Sequence, residues 1–187
     1  MYTISQLVFA DEVGVTRGRM EHRRRGRLAM GTRAIDRGVH ILGKHYSALA
    51  LMNLTGVLTH YTGEGGLNTE KLCYFALIGM LDVLNPFPQP NSVLILDNCR
   101  IHKSDEFLKI LQDHGVIVLF LPPYSPWLNP IEQVFRAVKA WLRRHARAML
   151  AEGHTIHIHL SPWHLRKFQQ VHCQSLISEA GYIGVHV

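Results

Sequence analysis

Asp11, Asp97 and Glu132 are the residues of this sequence best suited to chemistry at a phosphate. Asp11 follows a short apolar run, Ile4 to Ala10, and Asp97 follows a second, Ser92 to Leu96. Glu132 occupies the third position of a helix predicted from about Pro130 to Leu150. If the first and fourth strands are neighbours, the aspartates stand side by side at their carboxyl ends, where open α/β sheets place ligands. Glu132 joins them if its helix packs over that end. Three converging carboxylates repel one another, and burial raises their pKa values. Divalent cations remove the conflict. Mg²⁺ takes oxygen ligands and keeps some of its waters, so two or three carboxylates plus substrate phosphate oxygens suffice. Two such ions, about 4 Å apart, support an in-line phosphoryl displacement without a His or Lys base.

Each acid also has a plainer reading. Asp11 opens a DEVG turn, and Asp97–Asn98 suits an Asx turn. In Asn129-Pro130-Ile131-Glu132, Asn is a good N-cap, Pro is favoured at the first helical position, and Glu completes a capping-box pattern. Capping alone would account for Glu132.

The elements that must position these acids follow from periodicity. Ile4–Ala10 reads as a buried strand that ends at Asp11–Glu12, with an arginine-rich loop or hairpin after it. Residues from Val39 to Tyr61 suggest two antiparallel strands with a turn between Asn53 and Gly56. Leu67 to Leu84 has helical spacing, with Asn68 as cap and Pro86, Pro88 and Pro90 beyond its end. Ser92–Leu96 and Val116–Leu121 read as buried strands, and Ser104 caps a helix between them. Ile131, Val134, Phe135, Val138, Trp141 and Leu142 make one apolar stripe on the last long helix. A final helix is expected near Val171 to Ala180. Three meandering strands followed by helix-linked ones predict an α/β fold with a mixed five-stranded sheet covered on both faces. The expected division is residues 1–150 as this domain and 151–187 as a C-terminal extension.

Composition narrows the partner. The 187 residues are 47% hydrophobic, enough for one domain with its own core. No run of about 18 apolar residues is present to span a membrane, and the N-terminus lacks the basic start of a signal peptide. The expected location is nuclear in a eukaryote and cytoplasmic otherwise. Three scattered cysteines without a CxxC pattern point to a reducing compartment and no zinc ribbon. The net charge of +6 favours a polyanion. Arg17, Arg19, Arg23, Arg24, Arg25, Arg27, Arg33 and Arg37 form one cluster and Lys139, Arg143, Arg144 and Arg147 a second, while Arg136, Lys139 and Arg143 follow Glu132 along one helix face. Two basic clusters suit a long ligand such as a nucleic-acid duplex; the alternative is a solvated surface. Of His154, His157 and His159, the last two fall on one face of a strand, and a polar edge strand explains them better than a metal site.

VFADE, LILDNCRIH and LPPYSPWLNPIEQVFRAVKAWLRR, in this order, resemble the three catalytic blocks of the mariner-type DDE transposases. The 34 residues between Asp97 and Glu132 match the D-D-34-E spacing of that group. GKHYSALALMNLTGVL resembles the second and third strands of the same family, so the likeness covers about residues 4 to 145. It implies an RNase H-like fold, with Asp11, Asp97 and Glu132 as catalytic ligands of two Mg²⁺ or Mn²⁺ ions. It implies cleavage of double-stranded DNA at transposon ends, strand transfer into target DNA, and a homodimer to hold two ends. Asn98, His102 and Asn129 would support the acids or touch phosphate, and Lys103 would join the DNA contacts.

The sequence departs from that pattern twice. Such transposases normally carry an N-terminal helix-turn-helix region, whereas Met1 here lies just before the first strand. The expectation is a catalytic fragment, or a truncated or domesticated product that binds DNA without transposing. The family also places an acid between YSP and LNP, where this chain has Trp127. Trp127 either packs on the surface or stacks on a distorted base near the cut.

Overall fold

The computed structural model describes residues 2–16, 30, 43–151 and 173–182, with the side chains of 146–151 excepted. The arginines from Arg17 to Arg27 and the histidines at 154, 157 and 159 fall outside these residues. So does the predicted strand segment before Gly43.

Five strands form one sheet in the order β3-β2-β1-β4-β5. They are β1 (Leu7–Thr16), β2 (His45–Asn53), β3 (Gly56–Glu64), β4 (Val93–Leu96) and β5 (Ile117–Phe120). The first three are antiparallel neighbours, whereas β4 and β5 run parallel to β1. The mixed sheet is the one expected. The helices are α1 (Thr69–Phe75), α2 (Asp105–Asp113), α3 (Ile131–Ala151) and α4 (Cys173–Glu179).

Alternation along β1 explains the layers. Val8 and Ala10 face one core with Leu72 and Phe75 of α1 and Phe107 and Leu111 of α2. Phe9, Val13 and Val15 face another with Ile131, Val134, Phe135, Val138 and Leu142 of α3, joined by Leu176 and Ile177 of α4. Helices therefore cover both faces, and the stripe read on α3 is the packed one, with Trp141 at its edge. Asp11 shares the α3 side by parity.

Four local expectations need correction. Residues Ile4–Gln6 form a 3₁₀ turn rather than strand, because the Gln6 side chain accepts from Thr3 N at 2.8 Å and holds the chain bent. The strand does not stop at Asp11: β1 runs on to Thr16, since β2 offers it a continuous antiparallel partner from Phe9 to Thr16. The predicted 67–84 helix is α-helical only to Phe75. A π-turn, Ala76–Met80, follows, in which Leu81 N bonds Ala76 O. Gly79 lies there because a Cβ would stand 2.6 Å from the Phe75 ring. Finally, β5 is only partly buried, because it is the edge strand and pairs with β4 alone.

Candidate active site

The parallel ladder between β1 and β4 ends at Phe9 opposite Ile95. Two residues further along both chains stand Asp11 and Asp97. Leu121 N donates to Leu96 O at 2.8 Å, so the exit of β5 is tied beside them. The proline-rich segment then turns back and delivers α3. Asp11, Asp97 and Glu132 thus line one cleft of about 510 Å³, with Asn98, Cys99 and Asn129 in its walls.

The environment of each acid differs. Asp11 is only 7% exposed. Its Oδ1 accepts from Glu12 N at 2.7 Å, and its Oδ2 accepts from Asn129 Nδ2 at 3.2 Å. Burial pushes its pKa up to about 7; the Glu12 amide opposes that shift, and the charges of Glu132 and Asp97 add to it. Asp97 keeps 46% of its side chain exposed. Its Oδ1 lies 2.7 Å from Nδ1 of fully buried His102 and accepts from Cys99 N at 3.0 Å. The His102 bond leads in holding the Asp97 carboxyl below the usual range, against desolvation. His102 Nε2 is buried without a partner. A proton on Nδ1, donated to Asp97, therefore satisfies the ring better than one on Nε2.

Asn129 does not cap α3 with its side chain. Its Nδ2 points to β1, donating to Asp11 Oδ2 and, at 3.4 Å, to Ala10 O, while its Oδ1 is buried without a partner. Its backbone N–H already donates to Pro126 O, so the reciprocal bond of a capping box has no donor left. Capping accordingly does not explain Glu132. Nor does an ion pair: among the described residues no salt bridge joins Glu132 to Arg136. Both plain readings of this glutamate lapse, and the residue lines the cleft.

Asn98 Nδ2 donates to Leu121 O and so clamps the end of β4 to the end of β5. Lys103 lies 5.4 Å from the Phe120 ring centroid on the β5 side. On α3, Arg136 and Arg143 are exposed and Lys139 is half-buried; Arg143 Nε donates to Lys139 O at 3.1 Å. The sequence reading missed Glu12, whose pKa burial raises and which feels the charges of His102 and Asp97. It also passed over Tyr124, which stands 95% exposed in the cleft wall. The signal for Tyr124 was its place among four prolines, Pro122, Pro123, Pro126 and Pro130.

Acids two residues beyond the last parallel rung between β1 and β4, in a sheet of order β3-β2-β1-β4-β5, define an RNase H-like domain with an acidic cleft. Residues 6–152 match the family described as DDE superfamily endonuclease, and the chain belongs to that family. The uncharacterised 39 kDa protein of insertion element IS630 from Shigella sonnei is 30% identical over 103 residues, 54% of this chain and 29% of that protein. The Mos1 mariner paired-end complex with Mg superimposes with a TM-score of 0.61 at 16% identity, over 95% of this chain and 54% of that one. The catalytic domain of Mos1 mariner transposase superimposes with a TM-score of 0.51 at 13% identity, over 97% and 85% of the two chains. The mariner-type resemblance of the three sequence blocks is borne out. The chain spans under a third of the insertion-element protein and about half of the Mos1 chain in the paired-end complex. No described helix is long and apolar enough to cross a membrane.

Proposed function

We propose that the chain is the catalytic domain of a transposase, which cuts DNA at transposon ends and joins the freed ends to target DNA. One observation carries this reading: three acids from three separate elements line a single cleft. Asp11, Asp97 and Glu132 would hold divalent cations, Mg²⁺ or Mn²⁺, with two ions as the number implied by the family resemblance. The donor set fits. All three ligands are hard oxygens, which suit these cations. Burial leads in raising the Asp11 pKa, and the Glu132 and Asp97 charges add to it, as expected where carboxylates converge. When bound, such ions activate the attacking oxygen and offset charge on the phosphate and leaving group.

The side chains prepare that chemistry. His102 keeps Asp97 ionised and fixes its rotation about the end of β4. Asn129 orients the Asp11 carboxylate while tying the start of α3 to β1. Asn98 holds the two strand ends together beneath the cleft. Lys103, Arg136, Lys139 and Arg143 would contact DNA backbone phosphates, with the arginines from Arg17 to Arg27 as a second basic cluster. A pair of chains would bring two ends together.

A second reading, a DNA-binding remnant without transposition, is favoured by one observation. Among the described residues, no three His, Cys, Asp or Glu side chains are gathered closely enough to hold a metal ion. Labelled duplex DNA incubated with Mg²⁺ or Mn²⁺ separates the two. The transposase reading expects cleavage by the wild type and none by Asp97→Ala. DNA binding without cleavage by the wild type favours the remnant, and equal cleavage by both proteins removes the proposed site.

A further inference from the structure

Three of the large apolar side chains left exposed among the described residues fall within eight consecutive positions: Phe120, Tyr124 and Trp127. The segment that carries them is stiff. Pro122, Pro123 and Pro126 fix three of its φ angles. Ser125 Oγ donates to Pro123 O at 3.3 Å, and Leu128 N and Asn129 N close a 3₁₀ turn onto Ser125 O and Pro126 O. Both ends are pinned beside the acids. Asn98, next to Asp97, holds Leu121 O, and Asn129 holds Asp11.

Within this frame Tyr124 takes φ +56°, a left-handed conformation that is rare and unfavourable for a bulky residue. The side chain is not held there by packing, since it is 95% exposed. Trp127, three residues on in the 3₁₀ turn, is 67% exposed. A strained backbone that presents an aromatic ring to solvent at the mouth of a cleft is a feature of ligand clamps. Such a ring offers a flat π-face, and nucleobases are the flat partners that accompany phosphates. Lys103 beside Phe120 and the basic row of α3 give the surroundings the matching charge.

We propose that Tyr124 and Trp127 form a stacking platform for an unpaired base beside the cut, so that the site prefers DNA whose duplex is locally opened. This rests on the transposase reading and narrows its substrate. Stacking is tolerant of base identity, so the platform selects opened structure rather than sequence. Tyr124 and Trp127 are positioning residues: they hold the strand so that its phosphate meets the acids.

The test is equilibrium binding of two labelled duplexes, one fully paired and one with a single mismatch that carries 2-aminopurine. The wild type should bind the mismatched duplex tighter and quench 2-aminopurine. Tyr124→Ala and Trp127→Ala should each weaken mismatched binding by roughly tenfold or more, with the paired duplex and the melting temperature little changed. Tyr124→Phe should keep the preference. No preference in the wild type, or the same preference in both alanine variants, overturns the proposal. A change of oligomeric state in place of DNA preference overturns it in favour of a protein contact. If Asp97-dependent cleavage persists while the preference is absent, the platform alone is wrong. If the wild type neither binds nor cuts DNA, the transposase reading fails with it.

Discussion

Asp11 and Asp97 stand two residues beyond the last rung of one parallel ladder, yet the fold surrounds them differently. Asp11 is nearly buried in the cleft wall and loses most of its hydration, so its pKa rises to about 7. Asp97 stays half in solvent, and the buried His102 ring holds it ionised. The difference teaches how one site divides its labour. One carboxylate is held ionised more readily than a free aspartate; the other is costly to ionise until positive charge enters the cleft.

The largest test of that contrast removes each acid in turn. Asp11→Ala, Asp97→Ala and Glu132→Gln should each lower cleavage of labelled DNA by roughly a hundred- to a thousandfold, in line with losing transition-state charge stabilisation. Near-wild-type rates in any variant would break the division of labour.

Stability against pH should then separate the two aspartates. The folded pKa of Asp11 lies above its ordinary 3.8, so the unfolded chain gives up this proton first. Between about pH 4 and 7 the native state holds more protons, and stability falls as pH rises. The full cost, up to about 4 kcal/mol, is present above pH 7. Asp11→Asn should therefore raise the melting temperature of the metal-free protein at pH 8 and change it little at pH 4. Asp97 has the opposite sign. Its lowered pKa stabilises the fold above the unfolded value, and that contribution is lost as pH falls through the folded one. Denaturation curves at several pH values check both signs.

Two smaller effects sharpen the comparison. His102→Ala empties a buried position and frees Asp97, for a loss of about 2–4 kcal/mol by chemical denaturation. Asn129→Ala removes donors from Asp11 and Ala10 O, for about 1–3 kcal/mol. At the low end, Lys139→Ala and Arg143→Ala should each lower the salt slope of DNA affinity by about one unit. An unchanged slope would return these cations to the solvated surface.

Much of this was legible in the chain. Continuous apolar runs at Ser92–Leu96 and the stripe on α3 announced the parallel strands and the packed helix, because both are written in local periodicity. The order of the three blocks placed Asp97 just beyond β4 and Glu132 at the start of α3. What local pattern could not supply was long-range partnership. Asp11 looked like the end of a strand because two acids interrupt an apolar run, but pairing with β2 carries the strand five residues further. Asn129-Pro130 looked like a cap, but its amide finds Asp11, 118 positions away in sequence. The exposure of Tyr124 depends on how a proline-rich turn is pinned at both ends, which no residue within the turn records.

The central claim is that Asp11, Asp97 and Glu132 act as one cation-gathering unit. The most direct measurement is the rise in melting temperature caused by millimolar Mn²⁺ in the wild type, Asp11→Asn, Asp97→Asn and Glu132→Gln, from pH 5.5 to 8. The account predicts a wild-type rise that grows as pH passes about 7, where Asp11 ionises, and that each single substitution largely removes. A rise that ignores pH and survives all three substitutions would contradict it.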